Sequence, residues 1–195
     1  MSADSSEAKA SATAIIVRDN EELGSIEVLM IERSEALDFA PGATAFPGGA
    51  VDPGDFEEGL TSRCQPFERL ERDELGRRVA VIREVFEETG LLFAFDSEGW
   101  SVREERRRGL AEKYRDRLIS GEISFAEFAE TEGLIFAPDD LHHFAHWITP
   151  KESPKRFDTH FYIVAAADSQ HAEKDGGEAV SIAWVTPAAV LKKQE

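Results

Sequence analysis

Three glutamates, Glu84, Glu87 and Glu88, fall within five consecutive residues of the stretch Arg83-Glu84-Val85-Phe86-Glu87-Glu88-Thr89-Gly90-Leu91. At about 100° per residue, setting Glu84 at 0° puts Glu87 near 300° and Glu88 near 40°, while Ile82, Val85 and Phe86 cluster between about 100° and 200°. The carboxylates share the face opposite the apolar one. Like charges at this spacing cost a helix a few tenths of a kcal/mol per pair unless a cation or basic groups neutralise them. Carboxylate oxygens suit Mg²⁺ or Mn²⁺, ions that keep several waters and pair readily with substrate phosphates. An ion held there could activate a water and screen a diphosphate from an acidic protein. For the pattern alone, the competing reading is a solvated acidic helix face.

The elements that must position these residues are legible around them. Residues 72 to 89 carry a helical period, with Val79, Ile82, Val85 and Phe86 on one side and Gly90 as a C-terminal stop. Upstream, Ala14 to Arg18 and Ile26 to Arg33 read as two strands of a hairpin or meander around a polar segment at Asn20 to Gly24. Pro and Gly crowd the stretch from Phe39 to Asp55, predicting mostly loop with a short extended piece at Ala43 to Phe46. Downstream, Leu91 to Phe95 reads as a short buried strand. Two capping-box patterns, Ser101 to Glu104 and Ser124 to Glu127, predict a helical hairpin over 101–132, with Arg106 to Arg108 on its exposed face. Leu141 to Thr149, His160 to Ala167 and Ala179 to Val185 predict further strands, and Thr186-Pro187 starts a final helix. Without a regular βαβ alternation, the expected fold is α/β with a mixed sheet and helices packed on it.

Composition bounds the function. The chain has 195 residues, 42% hydrophobic and 31% charged, which fits one globular domain over 13–195 after a mobile tail at 1–12. No apolar run approaches the ~20 residues needed to span a bilayer. With 22 basic against 39 acidic side chains, the formal charge of −17 repels the phosphates of duplex nucleic acid. A single cysteine, Cys64, excludes an internal disulfide, and the first residues lack a leader pattern, so the expected compartment is cytoplasmic.

The string from Arg83 to Leu91 matches R-E-U-x-E-E-x-G-U, U being a bulky aliphatic residue, and so resembles the Nudix hydrolase superfamily. The full signature opens with G-x5-E-x7. Here Gly49 and Asp55 supply G-x5-acid, but 27 residues separate Asp55 from Arg83, implying an insertion of about 20 residues at roughly 56–75. Arg33-Ser34, Gly42 and Phe46-Pro47-Gly48-Gly49 resemble the segment before the box in the coenzyme A pyrophosphatase branch, with Ile31 and Asp38 where Thr and a second Arg are usual. Together with Phe39-Ala-Pro-Gly42 and Pro154 to Thr159, the pattern looks most like the peroxisomal-type coenzyme A diphosphatases and their bacterial relatives.

The resemblance implies a Nudix α/β/α sandwich with an inserted helical hairpin, and a divalent-cation-dependent pyrophosphohydrolase. Its substrate would be a nucleoside diphosphate linked to another group, coenzyme A or an acyl derivative first. ADP-ribose, a nucleotide sugar or a dinucleoside polyphosphate is the alternative, which Asp38 favours, and a non-catalytic nucleotide-sensing module is a third reading. It further implies Glu84, Glu87 and Glu88 as metal ligands, Arg83 as a brace between loop and helix, and Gly48 and Gly49 as the tight entry to the site. Arg33, Phe46, Lys155 and Arg156 are expected to meet substrate, and Glu178 is the nominee for general base. The helical hairpin could serve as a substrate lid or as a homodimer face. The histidines His142, His143 and His146, near His160, are discounted as a metal site, because i and i+4 residues lie far apart along one strand. Trp147 and Trp184 are expected in the core.

Overall fold

The computed structural model describes residues 7–22, 24–36, 40–65, 70–166, 171–174 and 177–192. Asp38, and the first two residues of the Asp175-Gly-Gly-Glu178 turn, lie outside them. Strands β1 (Lys9–Asn20) and β2 (Ser25–Arg33) arise from the two aliphatic runs and pair antiparallel from Val17↔Val28 to Asn20↔Ser25. Beyond Val17 they separate. One edge of β1 then pairs in parallel with β8 (Phe157–Ala165), and one edge of β2 pairs antiparallel with β9 (Ala179–Val185). The facing inner edges would be left with unpaired backbone groups, which are costly when buried. Two short strands fill the wedge: β3 (Thr44–Ala45) pairs with β2, and β4 (Gly48–Ala50) pairs with β1. The glycine-rich loop of the sequence is thereby drawn into the sheet. Antiparallel β7 (His142–Ile148) borders β8 on its other side, completing a mixed seven-stranded sheet.

Helix α2 (Arg72–Thr89) matches the predicted period, burying Val79, Ile82, Val85 and Phe86 completely. It ends at Gly90, whose φ of 70° is the left-handed conformation that glycine adopts without a Cβ penalty. The predicted helical hairpin appears as α3 (Glu104–Ile119) and α4 (Phe125–Glu132). The box at Ser124 forms: Glu127 N donates to its hydroxyl at 3.1 Å and Ser124 N donates to the Glu127 carboxylate at 2.8 Å. The box at Ser101 does not. Arg103 stands at the N-cap position of α3 without a side-chain cap bond, and Glu104 is taken by Arg107 at 2.7 Å. Phe128 links the layers, stacking on Phe86 at 5.1 Å and tilting against Tyr114 and Phe125. Truncating so buried a ring to alanine costs about 3–5 kcal/mol. The short α1 (Glu58–Thr61), the ribbon of β5 (Ala94–Phe95) with β6 (Ile135–Phe136), and α5 (Pro187–Lys192) complete the fold.

Several expectations are corrected. Regular structure includes Lys9 to Ala12, ahead of the expected start at Thr13, because residues 9–12 pair with β8 and residues 11–12 with β4, burying Ser11 and Ala12. Of Leu91 to Phe95 only the last two residues are strand. Arg107 is not on an exposed face. It is 1% exposed and donates to Gly90 O at 2.6 Å, while Arg115 donates through Nε and Nη2 to Glu87 O at 3.1 and 2.9 Å. Carbonyls at a helix C-terminus lack intrahelical donors, and α3 supplies them to α2. Trp147 is 71% exposed, with its ring edge-on to Phe161, on β7 at the border of the sheet.

Candidate functional site

The helix face read from the sequence is the floor of a cleft of about 580 Å³. Glu84, Glu87 and Glu88 of α2 line it together with Glu178, the 3-10 turn at Pro53–Phe56, and the connection between α3 and α4. The buried side of α2 fixes the helix against the sheet, so the acidic side must open on the cleft.

Arg83 organises the floor. Its Nε and Nη2 form a fork on the Asp55 carboxylate at 2.9 and 3.1 Å, Nη2 also donates to Ala50 O at 2.9 Å, and Nη1 reaches Glu84 at 2.9 Å and Glu87 at 3.2 Å. The planar guanidinium alone among basic side chains can span a carboxylate this way and retain further donors. Asp55 is 1% exposed and also accepts the Asp52 amide at 2.8 Å. It therefore braces Arg83 despite the long intervening segment, a role its spacing in the sequence left undefined.

The two glycines have separate steric reasons. At Gly48, φ is +149° and a Cβ would come within 2.5 Å of Ala12 O on β1. Its amide donates to Glu88 Oε2 at 2.8 Å. At Gly49, a Cβ would lie 2.5 Å from the Glu84 carboxyl carbon, so a side chain there displaces an acid of the cleft.

Crowding leaves its mark on ionisation. Burial raises Glu87 to about 7, against the pull of Arg83 and with added repulsion from Glu84. Glu84 is raised by burial, and Glu88 well above the usual carboxylate range by burial, by Glu84 and by Glu178. Glu88 Oε1 is buried and has no hydrogen-bond partner. An orphaned carboxylate oxygen beside two further carboxylates is an all-oxygen donor set, and it fits a hard divalent cation.

Other expected residues divide. Glu178, the nominee for general base, lines the same cleft, and its charge acts on Glu84 and Glu88. Arg33 is half-buried on β2, its Nε without a partner and its charge acting on Glu88. Phe46 is half-buried between β3 and β4, outside the cleft lining. Lys155 and Arg156 both lie in the β7–β8 connection, where Arg156 Nε donates to Thr149 O at 3.2 Å, and neither lines the cleft. Sequence reasoning missed Arg115, whose only signal was helical spacing.

The NUDT19 Nudix domain family model matches residues 61–195. Acyl-coenzyme A diphosphatase NUDT19 of Xenopus laevis is 27% identical over 206 residues, covering 85% of this chain and 54% of that protein. Putative nudix hydrolase 7 of Caenorhabditis elegans is 31% identical over 162 residues, covering 82% of this chain and 46% of that protein. The chain thus spans about half the length of these curated relatives. Among solved structures, a NUDIX hydrolase from Alicyclobacillus acidocaldarius superposes with a TM-score of 0.76 at 27% identity, covering 96% of this chain and 82% of the other. The mixed sheet carrying α2 is the Nudix fold, and with well over half its residues matched the chain belongs to the NUDT19 Nudix domain family.

Proposed function

We propose that the protein is a divalent-cation-dependent pyrophosphohydrolase that cleaves a nucleoside diphosphate joined to another group, with coenzyme A or an acyl-coenzyme A as the preferred substrate. The observation that carries this reading is the set of three buried carboxylates, one with an orphaned oxygen, at the floor of a cleft large enough for a diphosphate and part of its substituents. Glu84, Glu87 and Glu88 would hold Mg²⁺ or Mn²⁺, which when bound screens the diphosphate charge and lowers the pKa of a coordinated water. Arg83 fixes the direction of Glu84 and Glu87 through Nη1, while Asp55 and Ala50 O fix Arg83. Gly48 N pins the second oxygen of Glu88 and leaves Oε1 for the ion. Glu178, which lines the same cleft, would accept a proton there, and Arg33, outside that lining and with its Nε buried, would act through its charge on Glu88.

The wall facing the acids favours an acyl or pantetheine arm. It is built by Leu118, Ile119, Ile123, Phe125 and Ala126 around the α3–α4 turn, with Ile119 46% exposed. The one arginine in the lining, Arg83, is committed to carboxylates, so the wall offers hydrocarbon rather than countercharge. The hairpin is here a substrate wall. Names of the relatives point the same way, acyl-coenzyme A diphosphatase being that of the Xenopus protein.

Product analysis tests the reaction: coenzyme A with Mg²⁺ should yield 3′,5′-ADP and 4′-phosphopantetheine. The same assay run on dephospho-coenzyme A, ADP-ribose, a nucleotide sugar and a dinucleoside polyphosphate tests the substrate. Faster turnover of those lacking an acyl or pantetheine arm would overturn the coenzyme A assignment in favour of the broader reading. Turnover of none, with Mg²⁺ or Mn²⁺, would leave a nucleotide-sensing module.

A further inference from the structure

Strand pairing assembles a second group of metal-ligating side chains at the sheet edge. His146 on β7 stands directly opposite His160 on β8, and Ile148 opposite Asp158, so His146, Asp158 and His160 project from one face of the sheet. One ligand atom from each lies within 4.8 Å of the others. His146 Nε2 contacts Asp158 Oδ1, and the His146 and His160 rings stack with centroids 4.0 Å apart. We propose that His146, Asp158 and His160 form a metal site separate from the carboxylate cleft, suited to a borderline dication such as Zn²⁺ and not to Mg²⁺.

The donor set decides the class. Two imidazoles and one carboxylate suit Zn²⁺ and its neighbours in the first transition row, whereas Mg²⁺ requires oxygens in near-octahedral array. Tetrahedral Zn²⁺ with ligands at about 2.0–2.2 Å needs its donor atoms roughly 3.3 Å apart. Closing from the present spacing requires one of the stacked rings to turn about χ2, so that both lone pairs converge. The side chains of His146 and Asp158 are 40% and 39% exposed, so such a turn displaces no core atom. His143 provides outer support: its Nε2 lies 3.1 Å from His160 Nδ1. With the proton on His160 Nδ1 and donated to His143 Nε2, His160 Nε2 keeps a lone pair directed away from His143, the arrangement by which hydrogen-bonded partners orient metal-ligating histidines. Arg77 acts electrostatically on His160, but its charge is offset by Glu74 at 3.1 Å. The net charge of −17 favours cations at every surface site. The metal would join β7 to β8 through side chains as well as the backbone ladder.

The site is tested by titrating the full chain with Zn²⁺, and in parallel with Co²⁺ read by its visible d–d absorption, in excess Mg²⁺ to occupy the carboxylate cleft. One equivalent should bind in the presence of Mg²⁺. His146→Ala and His160→Asn should each weaken it by more than ~10-fold. His142→Ala, on the other face of the same strand, should not, and neither should Glu87→Gln combined with Glu88→Gln. The milder His146→Gln, with far-UV circular dichroism, separates lost ligation from lost fold. No binding under excess Mg²⁺, binding that survives both histidine substitutions, or binding abolished by the glutamate pair would each overturn the proposal.

Discussion

The acidic face of α2 and the histidine face of β7 and β8 both gather potential ligands, yet they are built oppositely. On α2 the ligands come from one turn and a half of helix and are held from beneath by Arg83, Asp55 and the Gly48 amide, all partly or wholly buried. On the sheet edge they come from two strands, and the pair that meets most closely is about two-fifths exposed on each side. The first is preorganised, so a ligand finds its donors waiting. The second must turn side chains to bind. Burial also loads the first with raised pKa values, so protons compete there for the same oxygens.

The largest effect expected from breaking this contrast is at Glu88. Glu88→Gln keeps an acceptor for the Gly48 amide and so preserves the fold, but it removes a charged ligand. Mg²⁺-dependent hydrolysis should fall roughly 1000-fold, a few kcal/mol of transition-state stabilisation. A variant retaining wild-type kcat would detach the helix from the chemistry.

A smaller effect should come from the brace. Asp55→Ala strips the fork from a nine-tenths buried guanidinium, and removing one partner of a buried pair costs about 3 kcal/mol. Chemical denaturation should report that loss, with kcat lowered as Glu84 and Glu87 lose their alignment. Unchanged stability would mean that the floor is not held from below.

The smallest effect is on pH. Glu87 titrates near 7 in the folded chain, above its unfolded value, and Glu84 and Glu88 are shifted the same way. The folded state thus binds more protons than the unfolded one between pH ~4.5 and ~7, so metal-free stability declines as pH rises through that window. Carboxylates depressed by partners, such as Glu74 beside Arg78 and Arg77, act at lower pH and in the opposite sense. Calorimetry in chelator should show Tm falling from pH 5 to 8 and saturating Mg²⁺ flattening the trend. A metal-free Tm that climbs over this range would contradict the burial of the acids.

What the sequence made legible follows the same division. Helix α2 and its stop at Gly90 could be read because helical neighbours lie three or four residues apart, within a single window. The histidine group could not. Distance along one strand argued against it, whereas the relevant neighbour of His146 is His160, set by a ladder with a register shift between His143 and Ala145. Asp55 and Arg115 were obscure for a related reason: each meets a partner in the Arg83–Glu87 segment that lies 28 positions away along the chain. Trp147 carried a core-like identity to the edge strand of the sheet, where it stays exposed.

The splaying of β1 from β2 has a mechanical consequence. Because β3 and β4 fill the gap as separate short ladders, Gly48 and Gly49 are clamped on the β1 side while Arg33 rides on β2. Any slight scissoring of those two long strands would change the separation between the amide that steadies Glu88 and the guanidinium that acts on it. The fork of the sheet would then serve as a hinge whose opening angle sets how tightly the acidic floor can grip.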